Sequence, residues 1–272
     1  MNITTKKLNS GAEIPVLGFG TWQVEDGTEA EEAVTTALEV GYRHIDTAQI
    51  YENETSVGKA IAKSGVPRKE LFLTTKLWNE NQFYQDVLPS FEESLQKLQT
   101  DYVDLFLVHF PVPETRDAAW LRMVEILESG RAKAIGVSNY TERHLQQLFE
   151  RSGVRPAVNQ VEVHPFLVQQ SLRDFCATNR IVVEAYSPLA HGADMTNEAI
   201  SRIASAQEKS YAQIMLRWAV QLGMVVLPKS THRERIQENA EIFEFELTDD
   251  EITRISALDR NLRTCWSPEH TP

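Results

Sequence analysis

Cysteine is scarce in this sequence, and an excess of basic residues is absent. The chain of 272 residues contains only two cysteines, Cys176 and Cys265, and their spacing fits neither a disulfide framework nor a metal site. We therefore expect two reduced thiols and no bound metal. The net charge of −12 argues against general binding to nucleic acid or to anionic membranes.

Long apolar runs are also missing. No stretch reaches the roughly 18 apolar residues that a membrane-spanning helix requires, and the opening residues MNITTKKLNSG lack the apolar run of a signal peptide. These absences predict a cytoplasmic protein without a membrane span. The length allows either two average domains or one large barrel. Because no linker or low-complexity segment divides the chain, we expect one domain over residues 1–272.

The sequence does contain a regular alternation of short apolar runs with helical patterns. A hairpin with its turn at Asn9 and Gly11 comes first, and eight apolar runs and about eight helical patterns follow it. Continuous apolar runs are typical of parallel strands covered by helices, so the alternation predicts an α/β fold, a (β/α)8 TIM barrel. The eight predicted strands lie within residues 16–20, 42–46, 71–78, 103–110, 132–139, 157–163, 181–188 and 224–230.

Helix ends and glycines refine this prediction. A Thr followed three residues later by Glu indicates a capping box, and the final such helix, over 248–258, is expected to pack outside the barrel. The alternative fold is a doubly wound open sheet, which would normally place G-x-G-x-x-G after its first strand. Here "GFGTWQ" has Gln23 in the third position. The three predicted capping boxes pair Thr28 with Glu31, Thr231 with Glu234 and Thr248 with Glu251.

Titratable residues lie at the ends of three successive predicted strands. Asp46 ends the second strand, and Tyr51 follows in the next loop. Lys76 and His109 stand near the ends of the third and fourth strands, in otherwise apolar sequence. The carboxyl ends of barrel strands carry catalytic groups, and a buried ammonium such as Lys76 needs a counter-ion such as Asp46. On the residues alone, a structural ion pair, a core histidine and a surface tyrosine remain open alternatives.

A set of longer motifs resembles the aldo-keto reductase family along nearly the whole chain. The resemblance implies a catalytic tetrad of Asp46, Tyr51, Lys76 and His109. "DTAQIYENE" and "SGVPRKELFLTTK" further resemble the prokaryotic branch of diketogluconate and methylglyoxal reductases. The motifs occur in the family's order and are "GFGTWQ", "HIDTAQIYENE", "TTKLW", "LVHFP", "IGVSNY", "NQVEVHP", "AYSPL" and "LPKSTHRERIQEN".

The resemblance implies the reduction of aldehydes and ketones by hydride transfer from NADPH. Tyr51 would protonate the carbonyl oxygen, and a nearby ammonium is expected to lower its pKa, which is about 10 in a free phenol. Lys76 would supply that ammonium, with Asp46 as its counter-ion. His109, expected to be neutral, would orient the carbonyl group. The hydride must come from a nicotinamide, because no side chain can supply one.

The segment "LPKSTHRER" concentrates positive charge before a predicted helix, which is typical of a phosphate site. The resemblance assigns further residues to the cofactor. The ribose 2′-phosphate is assigned to Lys229, Ser230, Thr231 and Arg235, and the adenine to Glu238 and Asn239. The nicotinamide ring is assigned to Tyr186, its carboxamide to Ser138, Asn139 and Gln160, and the pyrophosphate to Ser187 and Leu189.

Three aromatic residues that follow strand ends, Trp22, Trp78 and Phe110, are expected to surround a substrate site beside His109. The segment after Leu258 has only 14 residues, which predicts an open site for small or polar carbonyl compounds. We expect a monomer. Two other functions remain possible, a nucleotide-binding barrel acting as a redox sensor or partner subunit, and an unrelated barrel enzyme for phosphorylated substrates.

Overall fold

The computed structural model describes residues 4–272, and the first three residues of the segment considered for a signal peptide lie outside this range. Strands β1 (Thr5–Lys7) and β2 (Glu13–Pro15) form an antiparallel hairpin around the predicted turn. Its apolar side chains Leu8 and Ile14 pack against the apolar residues inside the sheet. The hairpin therefore covers the amino-terminal end of the barrel.

Eight parallel strands, β3 to β10, are hydrogen-bonded in their order along the chain. A parallel bridge between Leu17 and Val226 joins the first of them to the last, supported by the Gly18 N–H donating to the Val226 carbonyl over 2.9 Å. The predicted barrel is thus confirmed, and the open sheet is excluded. The strands are Phe19–Gly20, His44–Asp46, Phe72–Leu77, Leu105–Val108, Ile135–Ser138, Val158–Glu162, Val182–Tyr186 and Val225–Leu227.

Helices lie outside the sheet, and one follows nearly every strand. Two of them, α7 (Glu198–Gln207) and α8 (Tyr211–Gln221), separate β9 from β10, and α10 (Asp249–Ser256) packs against α7 outside the barrel as predicted. No helix in residues 4–272 is both long enough and apolar enough to cross a membrane. Helices α1 to α10 are Thr28–Val40, Glu54–Lys63, Tyr84–Lys97, Arg116–Glu128, Glu142–Ser152, Gln170–Thr178, Glu198–Gln207, Tyr211–Gln221, Arg233–Ala240 and Asp249–Ser256.

Two of the three predicted capping boxes are wrong. Thr28 is the first residue of α1 and not its N-cap. The N-cap is Gly27, at φ 95°, and its N–H donates to the Ser56 hydroxyl on α2. Thr231 lies one residue before the N-cap of α9, which is His232. Thr248 caps α10 as predicted, and its hydroxyl accepts the Glu251 N–H at 3.2 Å.

The interior of the barrel is divided into layers by strand alternation. Phe72, Leu105 and Val158 fill the end nearest the hairpin. Residues two positions further along a strand face the same side, so Thr74 and Gln160 form a polar middle layer. The layer above holds the carboxyl ends of the strands, where the predicted catalytic side chains lie.

Candidate active site

Lys76 is the centre of a buried polar cluster at the carboxyl ends of the strands. Its side chain on β5 is fully buried, and its ammonium donates to Asp46 Oδ1 at 2.6 Å and to the Thr47 carbonyl at 2.9 Å. The Tyr51 hydroxyl oxygen lies 3.2 Å from the same nitrogen. Strand pairing between β4 and β5 brings the carboxylate beside the ammonium. The structure therefore places these three predicted residues in direct contact.

The turn that carries Tyr51 is held by two amide side chains that the sequence interpretation did not single out. Gln49 accepts the Trp78 backbone N–H at 2.8 Å and donates to the carbonyl of Ser90 at 3.2 Å. Asn53 is fully buried and donates to the Thr21 carbonyl at 2.9 Å. These bonds fix both ends of the short turn from Gln49 to Tyr51. Asparagine and glutamine inside "AQIYENE" were the signal for this role.

The electrostatics of the cluster differ from the expectation in one respect. Burial alone would lower the pKa of Lys76, but attraction to Asp46 and Tyr51 outweighs burial and raises it. Burial raises the pKa of Asp46, against the opposing effects of Lys76 and Gln160. Burial also raises the pKa of Tyr51, and the ammonium only partly offsets this rise. The expected net lowering of the Tyr51 pKa is therefore wrong, and the phenol is held in its protonated form.

His109 stands beside the phenol at the end of β6. Its ring meets those of Tyr51 and Trp78 edge to face, with ring centroids 5.7 and 5.4 Å away. Burial, and then the charge of Lys76, hold its pKa well below the usual histidine value. Its Nδ1 is buried and has no hydrogen-bond partner among residues 4–272. The neutral imidazole expected from the sequence is thus present, and it has unused hydrogen-bonding capacity.

The residues predicted to hold a carboxamide group lie together on the next strands. Asn139, at a positive φ of 64°, donates to the His109 carbonyl at 3.0 Å and accepts from the Tyr186 hydroxyl at 2.7 Å. Ser138 donates to the backbone carbonyl of Gln160 at 2.9 Å. These polar groups are largely hydrogen-bonded to one another. Within residues 4–272, the Gln160 side chain forms its hydrogen bonds through its nitrogen, and its oxygen accepts none.

The basic segment after β10 lies at the start of α9. Lys229 and Arg235 are exposed, and neither forms an ion pair with another residue of the described range 4–272. Arg233, in contrast, pairs with Glu39 at 2.9 Å. The predicted adenine residue Glu238 accepts a hydrogen bond from the Ser210 hydroxyl. Two cations without an acidic partner therefore remain available to an anion.

The other residues assigned to the cofactor lie after β9 and around the start of α9. Ser187 follows β9, and its hydroxyl is 2.9 Å from His191 Nε2, while Leu189 is partly buried against the core. Ser230 accepts the backbone N–H of His232 at 3.1 Å. Thr231 is half-buried and Asn239 is buried, one before α9 and one within it.

The three aromatic residues predicted to line a substrate site each follow the carboxyl end of a strand. Trp22 is 40% exposed and meets His191 edge to face at 5.2 Å. Trp78 and Phe110 both pack against a residue that the sequence interpretation missed, Trp266, with ring centroids 5.9 and 6.4 Å away. The expectation that a short C-terminal segment leaves the mouth open is therefore corrected, because this segment returns to its rim.

Comparison with known proteins identifies the family of this chain. Residues 16–260 match the model of the Aldo/keto reductase family. The chain is 46% identical over 265 residues to glyoxal reductase from Bacillus subtilis (strain 168), covering 97% of this chain and 96% of that protein. It is also 46% identical over 267 residues to methylglyoxal reductase DkgA from Yersinia pestis, covering 97% and 95%.

A solved structure gives the same result at the level of the fold. The aldo-keto reductase of Bombyx mori, crystallised in complex with NADP, superimposes with a TM-score of 0.91 at 36% identity, covering 97% of this chain and 95% of that one. The family match spans the barrel and all four residues of the predicted tetrad. This chain is therefore an oxidoreductase that belongs to the aldo/keto reductase family.

Proposed function

We propose that this protein reduces small aldehydes and ketones to alcohols with NADPH, and that Tyr51 is the proton donor. One observation carries the proposal. The Tyr51 hydroxyl lies 3.2 Å from Lys76 Nζ, which is itself 2.6 Å from Asp46 Oδ1. This chain of contacts ends at the mouth of the barrel, beside the neutral His109. A purely structural ion pair would not require a phenol at its open end.

Each side chain has a distinct role in the proposal. Bound NADPH supplies the hydride. Burial raises the pKa of Tyr51, so the phenol is protonated at neutral pH and its O–H can donate to the carbonyl oxygen. Lys76 stabilises negative charge on the phenol oxygen as the proton leaves, and Asp46 balances the ammonium. His109, whose ring lies 5.7 Å from that of Tyr51, offers a ring nitrogen to the same carbonyl oxygen.

The residues of the chain fit NADPH at both ends of the cofactor. Lys229 and Arg235 are exposed cations that form no ion pair within residues 4–272, and they are suited to the ribose 2′-phosphate. At the other end, the ring of Tyr186 lies at the end of β9, and Gln160 has an amide oxygen that can accept from a carboxamide. The NADP complex of the Bombyx mori neighbour supports this choice of cofactor.

Substrate size follows from the mouth and from the relatives. Trp78, Phe110 and Trp266 form an aromatic rim above His109, which suits compact carbonyl compounds. The relatives named glyoxal reductase and methylglyoxal reductase support this reading. We therefore propose glyoxal, methylglyoxal and diketogluconate as the first substrates to test.

The proposal is tested by following the absorbance of NADPH with these substrates. Tyr51→Phe removes one hydroxyl group and should lower kcat by at least about 10²-fold, the low end for a positioned general acid, while the Kd for NADPH stays near the wild-type value. Tyr84→Phe is the matched control, because Tyr84 is exposed on α3. Tyr51 is not the proton donor if Tyr51→Phe binds NADPH and keeps more than about half of the wild-type turnover.

A further inference from the structure

Beneath the proposed catalytic residues, one amide group joins two buried carboxyl groups. The side-chain nitrogen of Gln160 donates to Asp46 Oδ2 at 2.9 Å and to Glu184 Oε2 at 2.7 Å. All three residues are buried, and Glu184 is fully buried on β9. An amide oxygen in the same place would face two acceptor oxygens, so this contact requires the nitrogen end of Gln160 to point inward. Its oxygen end is thereby directed away from both carboxyl groups.

The surroundings of Glu184 indicate where its own proton lies. Oε1 has no hydrogen-bond partner within residues 4–272, and it lies 3.6 Å from His44 Nε2. His44 Nδ1 is 3.4 Å from the Pro15 carbonyl, which can only accept, so Nδ1 carries the ring hydrogen. Nε2 is then an acceptor, and it lies 3.2 Å from the Thr74 hydroxyl. An ionised Oε1 would face this lone pair across 3.6 Å, a repulsion that a protonated Oε1 avoids.

Close packing keeps His44 in this place. A Cβ atom added at Gly18 would lie only 2.6 Å from His44 Nδ1, so the glycine allows the ring to fit against the first barrel strand. The ring also meets Phe72 edge to face at 4.9 Å. The imidazole is therefore closely packed in its position beside Glu184.

We propose that Glu184, held as a neutral carboxylic acid, is a positioning residue that fixes the orientation of the Gln160 amide and presents its oxygen to the carboxamide of NADPH. This inference rests on the proposed function, because it gives Gln160 its assigned partner. Glu184 does not reach the reacting atoms. Its contribution is to keep the amide from rotating by half a turn, which would present an N–H to the N–H₂ of the carboxamide.

The charges around Glu184 support the neutral form. The carboxylate of Asp46 on β4 shares the Gln160 amide with it, His44 on the same strand lies beside it, and the ammonium of Lys76 on β5 lies beyond Asp46. Burial, and then the negative charge of Asp46, raise the pKa of Glu184 to about 8. Burial lowers the pKa of His44 to about 3. Of the two carboxyl groups, Asp46 is the one in direct contact with the Lys76 ammonium, at 2.6 Å.

The test compares Glu184→Gln with Glu184→Met, using quenching of tryptophan fluorescence to measure binding of NADPH. Glu184→Gln keeps an acceptor for the Gln160 N–H and can place an uncharged N–H₂ beside His44, so its Kd should stay within about threefold of wild type. Glu184→Met removes one of the two acceptors and leaves only Asp46 to hold the amide, so its Kd should rise about tenfold. Adenosine 2′,5′-bisphosphate, which lacks the nicotinamide, is the matched probe and should bind both variants as it binds wild type.

A double-mutant cycle separates positioning from damage to the fold. In a Gln160→Ala background, Glu184→Met should cause no further loss of NADPH affinity, because the amide that it positions is gone. The proposal is overturned if Glu184→Met binds NADPH like wild type, if its loss persists in the Gln160→Ala background, or if adenosine 2′,5′-bisphosphate weakens equally. Failure of the wild-type protein itself to bind NADPH would instead refute the proposed function.

Discussion

The hydroxyl group of Thr264 donates to Oε1 of the buried Glu162 over 2.5 Å, and the backbone N–H of Thr264 reaches the same oxygen at 2.7 Å. The Cys265 N–H donates to the other carboxylate oxygen at 3.1 Å. One carboxylate on β8 therefore anchors residues 263–266, here called the C-terminal strap. The strap carries Trp266 to the aromatic rim of the mouth. The position of Trp266 is thus linked to a side chain inside the barrel.

Replacing the anchor should change substrate selection. Glu162→Ala leaves the strap donors without their acceptor, and we expect a loss of about 1–3 kcal/mol in the free energy of unfolding. Because Trp266 is no longer held beside Trp78, KM for an aromatic aldehyde should rise more than KM for glyoxal. Steady-state kinetics and thermal unfolding measure the two effects.

Trp266→Ala is the control for this prediction, since Trp266 is 59% exposed. It should reproduce the change in KM while leaving thermal stability almost unchanged. If Glu162→Ala is less stable yet ranks aldehydes as wild type does, the anchor stabilises the fold without shaping the mouth.

The contact between Tyr51 and Lys76 predicts losses that do not add. Lys76→Met removes the ammonium that lies 3.2 Å from the phenol oxygen and leaves Asp46 buried without its counter-ion. Turnover should fall about 10²-fold or more, as for Tyr51→Phe. The double variant should be no slower than the worse single variant, because both changes disable one proton transfer. Single-turnover rates at saturating NADPH make this comparison, and multiplied losses would show two independent roles.

The barrel could be predicted from the sequence because each strand is a local apolar run and each helix has a local period. The positions of Asp46, Lys76 and His109 followed from the rule that catalytic groups lie at the carboxyl ends of barrel strands. Side-chain contacts across a barrel have no such local pattern. The hydrogen bond from Thr264 to Glu162 joins residues 102 positions apart. No sequence pattern near either residue predicts this contact.

The predictions of the Thr28 capping box and of the Tyr51 pKa were wrong for related reasons. Thr28 and Glu31 match the local sequence pattern of a capping box. In the structure, Gly27 is the N-cap, and its N–H donates to the Ser56 hydroxyl on another helix. The pKa of Tyr51 was argued from one neighbouring charge, whereas burial by the whole barrel decides its direction. Glu184 did leave a visible signal, as the single acid within the apolar run "IVVEAY". An acid in a buried strand needs a partner, and this reasoning would have identified it.

Cofactor preference should depend on Arg235 and not on its neighbour Arg233. Arg235 has no acidic partner in residues 4–272, so Arg235→Ala should lower kcat/KM for NADPH about tenfold and leave the value for NADH nearly unchanged. Arg233→Ala is the matched control on the same helix, because that side chain pairs with Glu39 at 2.9 Å. Equal losses with NADPH and NADH would show that Arg235 does not contact the 2′-phosphate.

The pH dependence of stability should reveal the protonated Glu184. Its pKa is about 8 in the folded protein and near the ordinary glutamate value of roughly 4.3 in the unfolded chain. Between these values the unfolded state has lost a proton that the folded state keeps, so stability falls as the pH rises. The slope from this one group is about 1.4 kcal/mol per pH unit. Glu184→Gln removes this contribution.

We therefore expect the free energy of unfolding of Glu184→Gln, relative to wild type, to rise steadily with pH and to level off above pH 8, the pKa of Glu184. The contribution of His44 to the pH dependence of stability has the opposite sign. Its pKa falls from 6.5 to about 3 on folding, so it adds stability as the pH rises between those two values. Measurements above pH 6.5 avoid this window. Urea unfolding of both proteins gives the difference, and a difference independent of pH would mean that Glu184 is already ionised in the folded state.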